Sequence, residues 1–423
     1  MDCMLRFLMK NIQHHQFDCG LCLITESIPG TKTAAVNWGV RSGVAYNEHD
    51  GDSVILAELV QRGALGFSGK QHNDSLDMLG IKRQVSCGIE FFRVSGIMLK
   101  THLAQGIPLL GGYLLHPTLP EKDVHACKSL VLQSIQSLQD SPAHIAGVAL
   151  NTHHLPCPYN RSAYGDIDAV ESATMERLKH AYTTLFTPKD SILVVAGNVE
   201  HQEVVGIVEQ TIDGWDRSNN CSVTNGDTDR GIHWIKQDTS QVHLAFGMDA
   251  PNASDSDAIL ESVAMSVFGG ASSGRLFTEV RQRRSLCYSV SAQFAPSRSR
   301  SMVRIHAGTT PERAEETIQV CIEQLSKLRS GITEDEFSRT IQRLKSRTVM
   351  SGESTTARAN SLWGDQYALE RTRSLAQRLQ EIDEVTLQNV NNLLENRDFG
   401  EMTLVYLGPD EINLGDSLLS LDG

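Results

Sequence analysis

Arginine and tyrosine side chains in the second half of the chain are spaced to act together on an oxygen atom. Three arginines end a predicted helix at Arg281-Gln282-Arg283-Arg284, and a predicted strand begins at Tyr288. Positive charge at the C-terminal end of a helix is favourable by itself, which is the purely structural interpretation. The functional interpretation is that Arg281 and Tyr288 donate hydrogen bonds to an anionic or carbonyl oxygen.

A glycine-rich segment, Gly269-Gly270-Ala271-Ser272-Ser273-Gly274, lies shortly before these arginines. It lacks the Gly-Lys-Ser/Thr ending of a P-loop, and it lies between two helical stretches rather than after a strand. It therefore does not predict nucleotide binding. Gly269 and Gly270 instead indicate a turn that another backbone or an extended ligand approaches closely.

Cysteine and histidine pairs give weaker indications of redox or metal chemistry. Cys19-Gly20-Leu21-Cys22 has the C-x-x-C spacing, but its flanks look like two strands joined by a turn, whereas a redox dithiol needs a helix N-terminus. No second C-x-x-C completes a four-cysteine zinc site. His153 and His154 are neighbours, which do not readily face one site, and we predict a solvated loop there.

The elements that must position these residues fall into two similar halves. Each half begins with strand-like sequence, continues through a helical and a β-rich stretch, and ends with long helices and a short apolar strand. Strands followed by helices, twice, predict an α+β duplication: two homologous α+β domains, each an antiparallel-rich sheet flanked by helices. Two unrelated α+β domains are the alternative. The predicted helices are 52–66, 121–137 and 170–187, then 254–284, 311–329, 334–349 and 383–395; the β-rich stretches are 84–99 and 286–308, and the closing strands 191–197 and 402–408.

A polar, turn-forming segment at 218–231 separates the two halves. It shows no apolar periodicity, so we predict an exposed connection. The predicted domains are residues 1–217 and 232–423. This division agrees with the length of 423 residues, which exceeds the about 100–200 residues of one ordinary domain.

The composition is that of a globular protein, with 40% hydrophobic and 21% charged residues, which excludes a disordered or collagen-like chain. The net charge of −13 argues against nucleic acid or an anionic membrane surface as the main partner, because either requires clustered Lys and Arg. No stretch approaches the roughly 18 apolar residues of a membrane span. A short, interrupted apolar N-terminus and nine cysteines without a regular framework predict a cytoplasmic protein.

The sequence resembles the insulinase, pitrilysin and mitochondrial-processing-peptidase family of zinc metallopeptidases. The segment 268–277, continuing through Arg281 to Tyr288, is similar to the family signature in its second homologous domain. Further similarities follow the family's order along essentially the whole chain, at Ser141-Pro142, Pro158-Tyr159, Gly165 and Pro188 through Val199. The resemblance implies that the two domains form one half-shell of a peptidase chamber.

Active members of this family carry the motif His-x-x-Glu-His on a helix of the first half, where the histidines bind zinc and the glutamate activates water. The matching helix of this sequence has no histidine. If Glu58 takes the place of the base, Ile55 and Leu59 occupy the histidine positions. If the register moves by one residue, Val54 and Glu58 occupy them, and Ala57 replaces the base.

The downstream carboxylate of the family is missing too, because Gln133 or Ser134 stands at its position. Aliphatic, amide and hydroxyl groups do not hold zinc at useful affinity. We therefore expect no zinc and no catalytic residue of its own in this chain.

The resemblance implies a function through a partner. Some family members are heterodimers in which one subunit carries the zinc motif and the other supplies the arginine and tyrosine, and this sequence has the pattern of the second kind. Arg281 and Tyr288 would then bind a peptide substrate, together with Gly269 and Gly270, while the zinc belongs to a homologous partner subunit. The alternatives are a structural scaffold without a role in hydrolysis, and a homodimer with a relocated metal site that uses His49, His153 or His154.

Overall fold

The computed structural model of the protein describes residues 11–217 and 223–414. The predicted N-terminal apolar stretch and part of the predicted linker lie outside the described residues. Eleven strands are described and form two sheets. The first sheet contains β1 (Ile12–Gln16), β2 (Cys22–Ser27), β3 (Thr33–Val40), β4 (Lys82–Cys87), β5 (Phe92–Leu99) and β6 (Ile192–Gly197); the second contains β7 (Ile232–Lys236), β8 (Val242–Asp249), β9 (Cys287–Ala295), β10 (Met302–Thr309) and β11 (Thr403–Gly408).

Helices follow the strands in each half, as the sequence predicts. In the first half they are α1 (Asp52–Leu59), α2 (Gly69–Met78), α3 (Leu103–Leu115), α4 (Val124–Gln139), α5 (Pro142–His154), α6 (Ile167–Glu171), α7 (Met175–Leu185) and α8 (His201–Thr211). In the second half they are α9 (Ala258–Gly269), α10 (Ala314–Arg329), α11 (Glu334–Gly352), α12 (Thr355–Leu369), α13 (Leu375–Asp383) and α14 (Leu387–Glu395). Within the described residues, no helix combines the length and the apolar character that crossing a membrane requires.

The two sheets share one topology. The strand order is β1-β2-β6-β3-β5-β4 in the first sheet and β7-β11-β8-β10-β9 in the second, so the sheets match strand for strand once β1 is set aside. Each sheet has one parallel pair, β2 with β6 or β7 with β11, and its other pairs are antiparallel. The predicted α+β duplication with antiparallel-rich sheets is confirmed.

The chain folds into two compact units that exchange one helical segment each. Unit 1 comprises residues 1–137, 157–225 and 349–376, and unit 2 comprises residues 138–156, 226–348 and 377–423. Helix α5 therefore belongs to unit 2 and helix α12 to unit 1. The predicted domains, 1–217 and 232–423, differ from these units by the two exchanged segments.

Helix α12 covers the second face of the first sheet. Its apolar residues Ala359, Leu362 and Trp363 pack with Ile24, Ala35 and Val194 from strands β2, β3 and β6. Gly39 permits this close approach, because a Cβ at that position would lie 2.7 Å from the Trp363 ring. Strands buried on both faces need such a second cover, and the sequence-distant helix supplies it.

Helix α5 does the same for the second sheet. Ala146 and Leu150 pack with Ala245, Met302 and Val405. The helix begins at Pro142, where the missing N–H of proline has no cost.

Candidate functional site

Helix α1, which matches the zinc-binding helix of the family, is anchored at its first residue. Asp52 is buried and accepts a hydrogen bond of 2.7 Å from Arg177 Nε on helix α7. Burial raises the pKa of the Asp52 carboxyl, although the Arg177 guanidinium opposes the rise. The ion pair therefore fixes the start of the helix against α7.

The burial pattern of α1 distinguishes the two registers that the sequence leaves open. Ile55 and Leu59 are fully buried in the core of unit 1, whereas Val54 and Glu58 are partly exposed. Residues four apart on a helix share one face, so Val54 and Glu58 form the accessible face of α1. A metal that must meet a substrate needs an accessible face, and the structure thus favours the register with Ala57 at the position of the base.

Side chains around this face offer few zinc ligands. Cys127 of helix α4 lies near this face. Burial raises the pKa of its thiol, the charge of Arg62 opposes the rise, and the charge of Glu58 adds to it. Farther along α4, Gln133 and Ser134 are exposed, and Ser134 donates to the carbonyl of Leu130, 3.0 Å away. Glu58 offers one carboxylate, whereas Val54 and Ala57 offer no ligand atom and the Ser134 hydroxyl is bonded to its own helix. This set of side chains does not fit the ligands of the family's zinc site.

Arg281 lies in a π-helical segment, Phe277–Arg283, at the end of the predicted helix 254–284. Ser285, with φ of 52°, turns the chain from this segment into strand β9. Arg283 and Arg284 both donate to the Glu279 carboxylate, over 2.5 and 3.2 Å. These two arginines are thus held in place by a partner on the same segment.

Arg281 is placed differently from its two neighbours. Its exposed guanidinium lies 4.9 Å from the centroid of the Phe277 ring. Among the residues that the structure describes, no carboxylate forms an ion pair with it. Burial raises the pKa of the Cys287 thiol to about 11, and the nearby Arg281 charge opposes that rise. Arg281 therefore lies close to the beginning of β9.

Tyr288 follows Cys287 on β9, which is an edge strand of the second sheet. Its side chain is 68% exposed. Arg281 thus lies in the segment just before this edge strand and Tyr288 at its start, each with a hydrogen-bond donor available to a ligand.

The two glycines have a packing role. A Cβ on Gly269, the last residue of α9, would lie 2.3 Å from the Ala292 nitrogen of β9, and one on Gly270 would lie 2.8 Å from the Cα of Ser266. The close approach of another backbone, which the glycine-rich segment predicts, is found at Ala292. Contact of these glycines with a substrate stays a prediction.

Arg275, between the glycines and Arg281, connects this segment to helix α11. Its Nε and Nη2 donate to the two Glu336 oxygens, over 2.7 and 2.8 Å. Thr333 caps α11, and its N–H also donates to Glu336. Burial opposes ionisation of Glu336, but Arg275 and Thr333 outweigh it and hold its pKa at about 2.

This pKa predicts a loss of stability in acid. A carboxyl whose pKa is lower in the folded state stabilises the fold above its unfolded pKa, about 4.3, and that contribution disappears as the pH falls toward 2. We expect Glu336→Gln to remove about 2–3 kcal/mol at pH 7 and almost nothing near pH 2. Urea unfolding of both proteins across this pH range measures the difference, and a difference independent of pH would contradict the assignment.

The other candidate residues are separated from this site in the chain. Cys19 and Cys22 lie in and after the turn between β1 and β2, as predicted, and both thiols are free. The predicted loop at His153 and His154 is wrong, because both residues lie in the last turn of α5. This helix begins at Pro142, and its apolar residues pack against the second sheet. His49 is exposed in unit 1.

The adjacent histidines have different partners. His154 is buried, with its Nδ1 2.9 Å from Thr403 Oγ1, whereas the Nδ1 of His153 lies 2.8 Å from Asp229 Oδ2. Asp229 and His233 were missed by the sequence reasoning. No spacing motif joins them to His153, so only the folded chain reveals the group.

Residues 172–344 match the family described as "Peptidase M16 inactive domain". Curated relatives include an uncharacterized zinc protease of Streptomyces coelicolor, 24% identical over 83% of this chain and 81% of that protein. The uncharacterized zinc protease YmxG of Bacillus subtilis is 22% identical over 94% of this chain and 98% of that protein.

Solved structures show the same fold. A peptidase M16 inactive domain from Pseudomonas fluorescens superposes with a TM-score of 0.86 at 18% identity, covering 95% of this chain and 99% of that chain. A protease from Helicobacter pylori superposes with a TM-score of 0.85 at 16% identity, covering 94% and 99%. In the signature around Arg281 and in its duplicated topology the chain is similar to the M16 peptidases of the insulinase and pitrilysin type, and its sequence lacks the zinc motif of their active members.

Proposed function

We propose that this protein is a non-catalytic subunit that binds peptide substrate for a zinc-bearing M16 partner. Helix α1 offers valine, alanine and glutamate where the family has two histidines and a base, so the chain does not supply hydrolytic chemistry there. The partner's zinc would activate the attacking water. This chain would contribute substrate positioning and hydrogen bonds.

The observation that carries the proposal is the contrast among the three arginines. Arg283 and Arg284 share the Glu279 carboxylate, and Arg284 also lies 3.8 Å from Glu323, while Arg281 lacks an ion pair within the described residues. A cation that forms no ion pair among the described residues, followed in the chain by an exposed tyrosine on an edge strand, is suited to a peptide carbonyl and to the negative charge that develops on it. The guanidinium and the phenol of Tyr288 would orient the peptide and stabilise that charge.

The alternatives predict different behaviour from these same residues. A scaffold would leave Arg281 and Tyr288 without effect on hydrolysis by a complex. A homodimer with a relocated metal site would hydrolyse peptides without a second kind of subunit. A cytoplasmic location is part of the proposal, and the seven cysteines within the described residues, all of them free, support it.

We expect the purified chain to hydrolyse no peptide above the rate in buffer, because its first half lacks the ligands and the base. A mixed library of quenched fluorescent peptides, with and without added zinc, measures this. Addition of a homologue that carries His-x-x-Glu-His should produce activity and a co-eluting complex. Chelator-sensitive hydrolysis by the chain alone would contradict the proposal.

A further inference from the structure

Two imidazoles and one carboxylate meet on the surface of unit 2. His153 ends helix α5, Asp229 lies in the segment before β7, and His233 lies in β7 itself. One ligand atom from each of the three residues lies within 4.8 Å of the others. From this group we infer a binding site for a divalent transition-metal ion of the zinc type, in addition to the function proposed above.

The side chains are already held close together. His153 Nδ1 lies 2.8 Å from Asp229 Oδ2, and His233 Nε2 lies 2.8 Å from the Asp229 carbonyl. The two imidazole rings stack with 3.6 Å between their centroids and 14° between their planes. Two nitrogen donors and one oxygen donor therefore lie close together before any ion is bound.

Backbone contacts fix the three segments. The Asp229 N–H donates to the His153 carbonyl over 3.0 Å, which ties the end of α5 to the segment before β7. Arg230, the next residue, donates to both oxygens of Asp249, over 2.7 and 2.8 Å. Because these contacts already fix the backbone on either side of Asp229, that backbone loses little conformational entropy when an ion binds.

The exposure of the side chains leaves room for an ion. The His153 and Asp229 side chains are 26% and 75% exposed, so both can rotate toward a common centre. Ligand atoms of a tetrahedral zinc site lie about 3.3 Å apart when the bonds are about 2.0–2.2 Å. The two rings must rotate out of their stacked arrangement so that their in-plane nitrogen lone pairs converge on the ion. The ion then replaces the proton shared between His153 and Asp229, which passes to solvent.

The chemistry of the donors selects the class of ion. Imidazole nitrogens with a carboxylate suit zinc and its neighbours in the first transition row, whereas magnesium and calcium prefer sites made of oxygen. Three protein ligands leave a fourth position for water. The bound ion fastens the end of the exchanged helix α5 to β7, and so stabilises unit 2.

The test uses the full chain, stripped with a chelator and kept in a phosphine reductant. Titration with Zn²⁺ in a calorimeter should give one site with a micromolar Kd, and Zn²⁺ but not Mg²⁺ should raise the Tm by about 3 °C or more. Bound Co²⁺ should show the absorption of nitrogen and oxygen ligands without a thiolate charge-transfer band, which separates this site from the cysteines.

His233→Gln and Asp229→Asn should each weaken Zn²⁺ binding about tenfold or more, since even outer-shell changes at metal sites cost about 10–100-fold. His180→Gln, an exposed histidine on α7 in unit 1, is the matched control and should bind as the unaltered chain does. Equal affinity in all four proteins, or no binding of Zn²⁺, overturns the inference. The two proposals can fail separately. A chain that binds no Zn²⁺ would contradict only this inference, whereas chelator-sensitive hydrolysis by the chain alone would contradict only the proposed function.

Discussion

Under the proposed function, Arg281→Ala should lower kcat/KM of a complex between this chain and a zinc-bearing homologue by about 100-fold, mainly through kcat. Removal of one donor from a developing oxyanion typically costs about 10²–10³-fold in kcat. Tyr288→Phe removes only a hydroxyl and should cost less. Steady-state hydrolysis of one peptide by the reconstituted complex, with kcat and KM determined separately, measures both effects.

Arg283→Ala is the matched control for this prediction. It removes an arginine from the same π-helical segment, but one whose side chain is 68% exposed and bonded to Glu279. We expect a change in kcat/KM of no more than about twofold, because such exposed pairs contribute little. If the Arg281 and Arg283 variants both leave kcat/KM unchanged, Arg281 has no part in hydrolysis and the scaffold alternative is correct. A rise in KM alone would mean that Arg281 binds substrate without stabilising the oxyanion.

Arg358→Ala should destabilise unit 1 by about 3–5 kcal/mol. Arg358, on the exchanged helix α12, donates two hydrogen bonds of 2.8 Å to the Glu26 carboxylate of β2. The two side chains are only 3% and 10% exposed. Removal of one member of such a buried pair leaves the other charge without compensation, which is the costly case. Three of the four tryptophans, Trp38, Trp215 and Trp363, belong to unit 1, so tryptophan fluorescence during urea unfolding reports this change.

Arg339→Ala provides the comparison for the buried pair. Arg339 also forms an ion pair, 2.7 Å from Asp335, but the two side chains are 56% and 80% exposed. It should cost no more than about 1 kcal/mol. The double variant Glu26→Ala with Arg358→Ala should be less destabilised than the sum of the single variants, since no unpaired charge remains. Additive losses would show that the two residues stabilise unit 1 independently.

Much of the fold could be predicted from local patterns. The closing strands at 191–197 and 402–408 agree with the structure, because apolar periodicity depends on neighbouring residues. Helix α3 was not predicted. It contains Pro108 and three glycines, which normally indicate loops. One of them, Gly106, is needed because a Cβ there would lie 2.3 Å from the Met98 sulfur.

The candidate site was predictable in part. Residue types alone identify Arg281 and Tyr288 and show that α1 has no histidine. Residue types cannot show whether Val54 or Ile55 stands at the first histidine position of the motif, because that choice depends on which face of α1 is buried. Nor can they distinguish Arg281 from Arg283, since that difference depends on the position of Glu279. The group at His153 joins residues about 80 positions apart, and no local pattern connects them.

The sequence by itself determined the duplicated α+β layout, the helix boundaries set by caps, and the absence of zinc-binding imidazoles from the matching helix. These properties reside in residue identity and in short-range periodicity. Only the tertiary structure decided that α5 and α12 are exchanged between units, that Arg281 rather than Arg283 has no carboxylate partner in the described part of the chain, and which histidines meet. The physical reason is that an apolar helix face predicts its own burial but not the element that buries it. That element depends on packing among residues far apart in the chain.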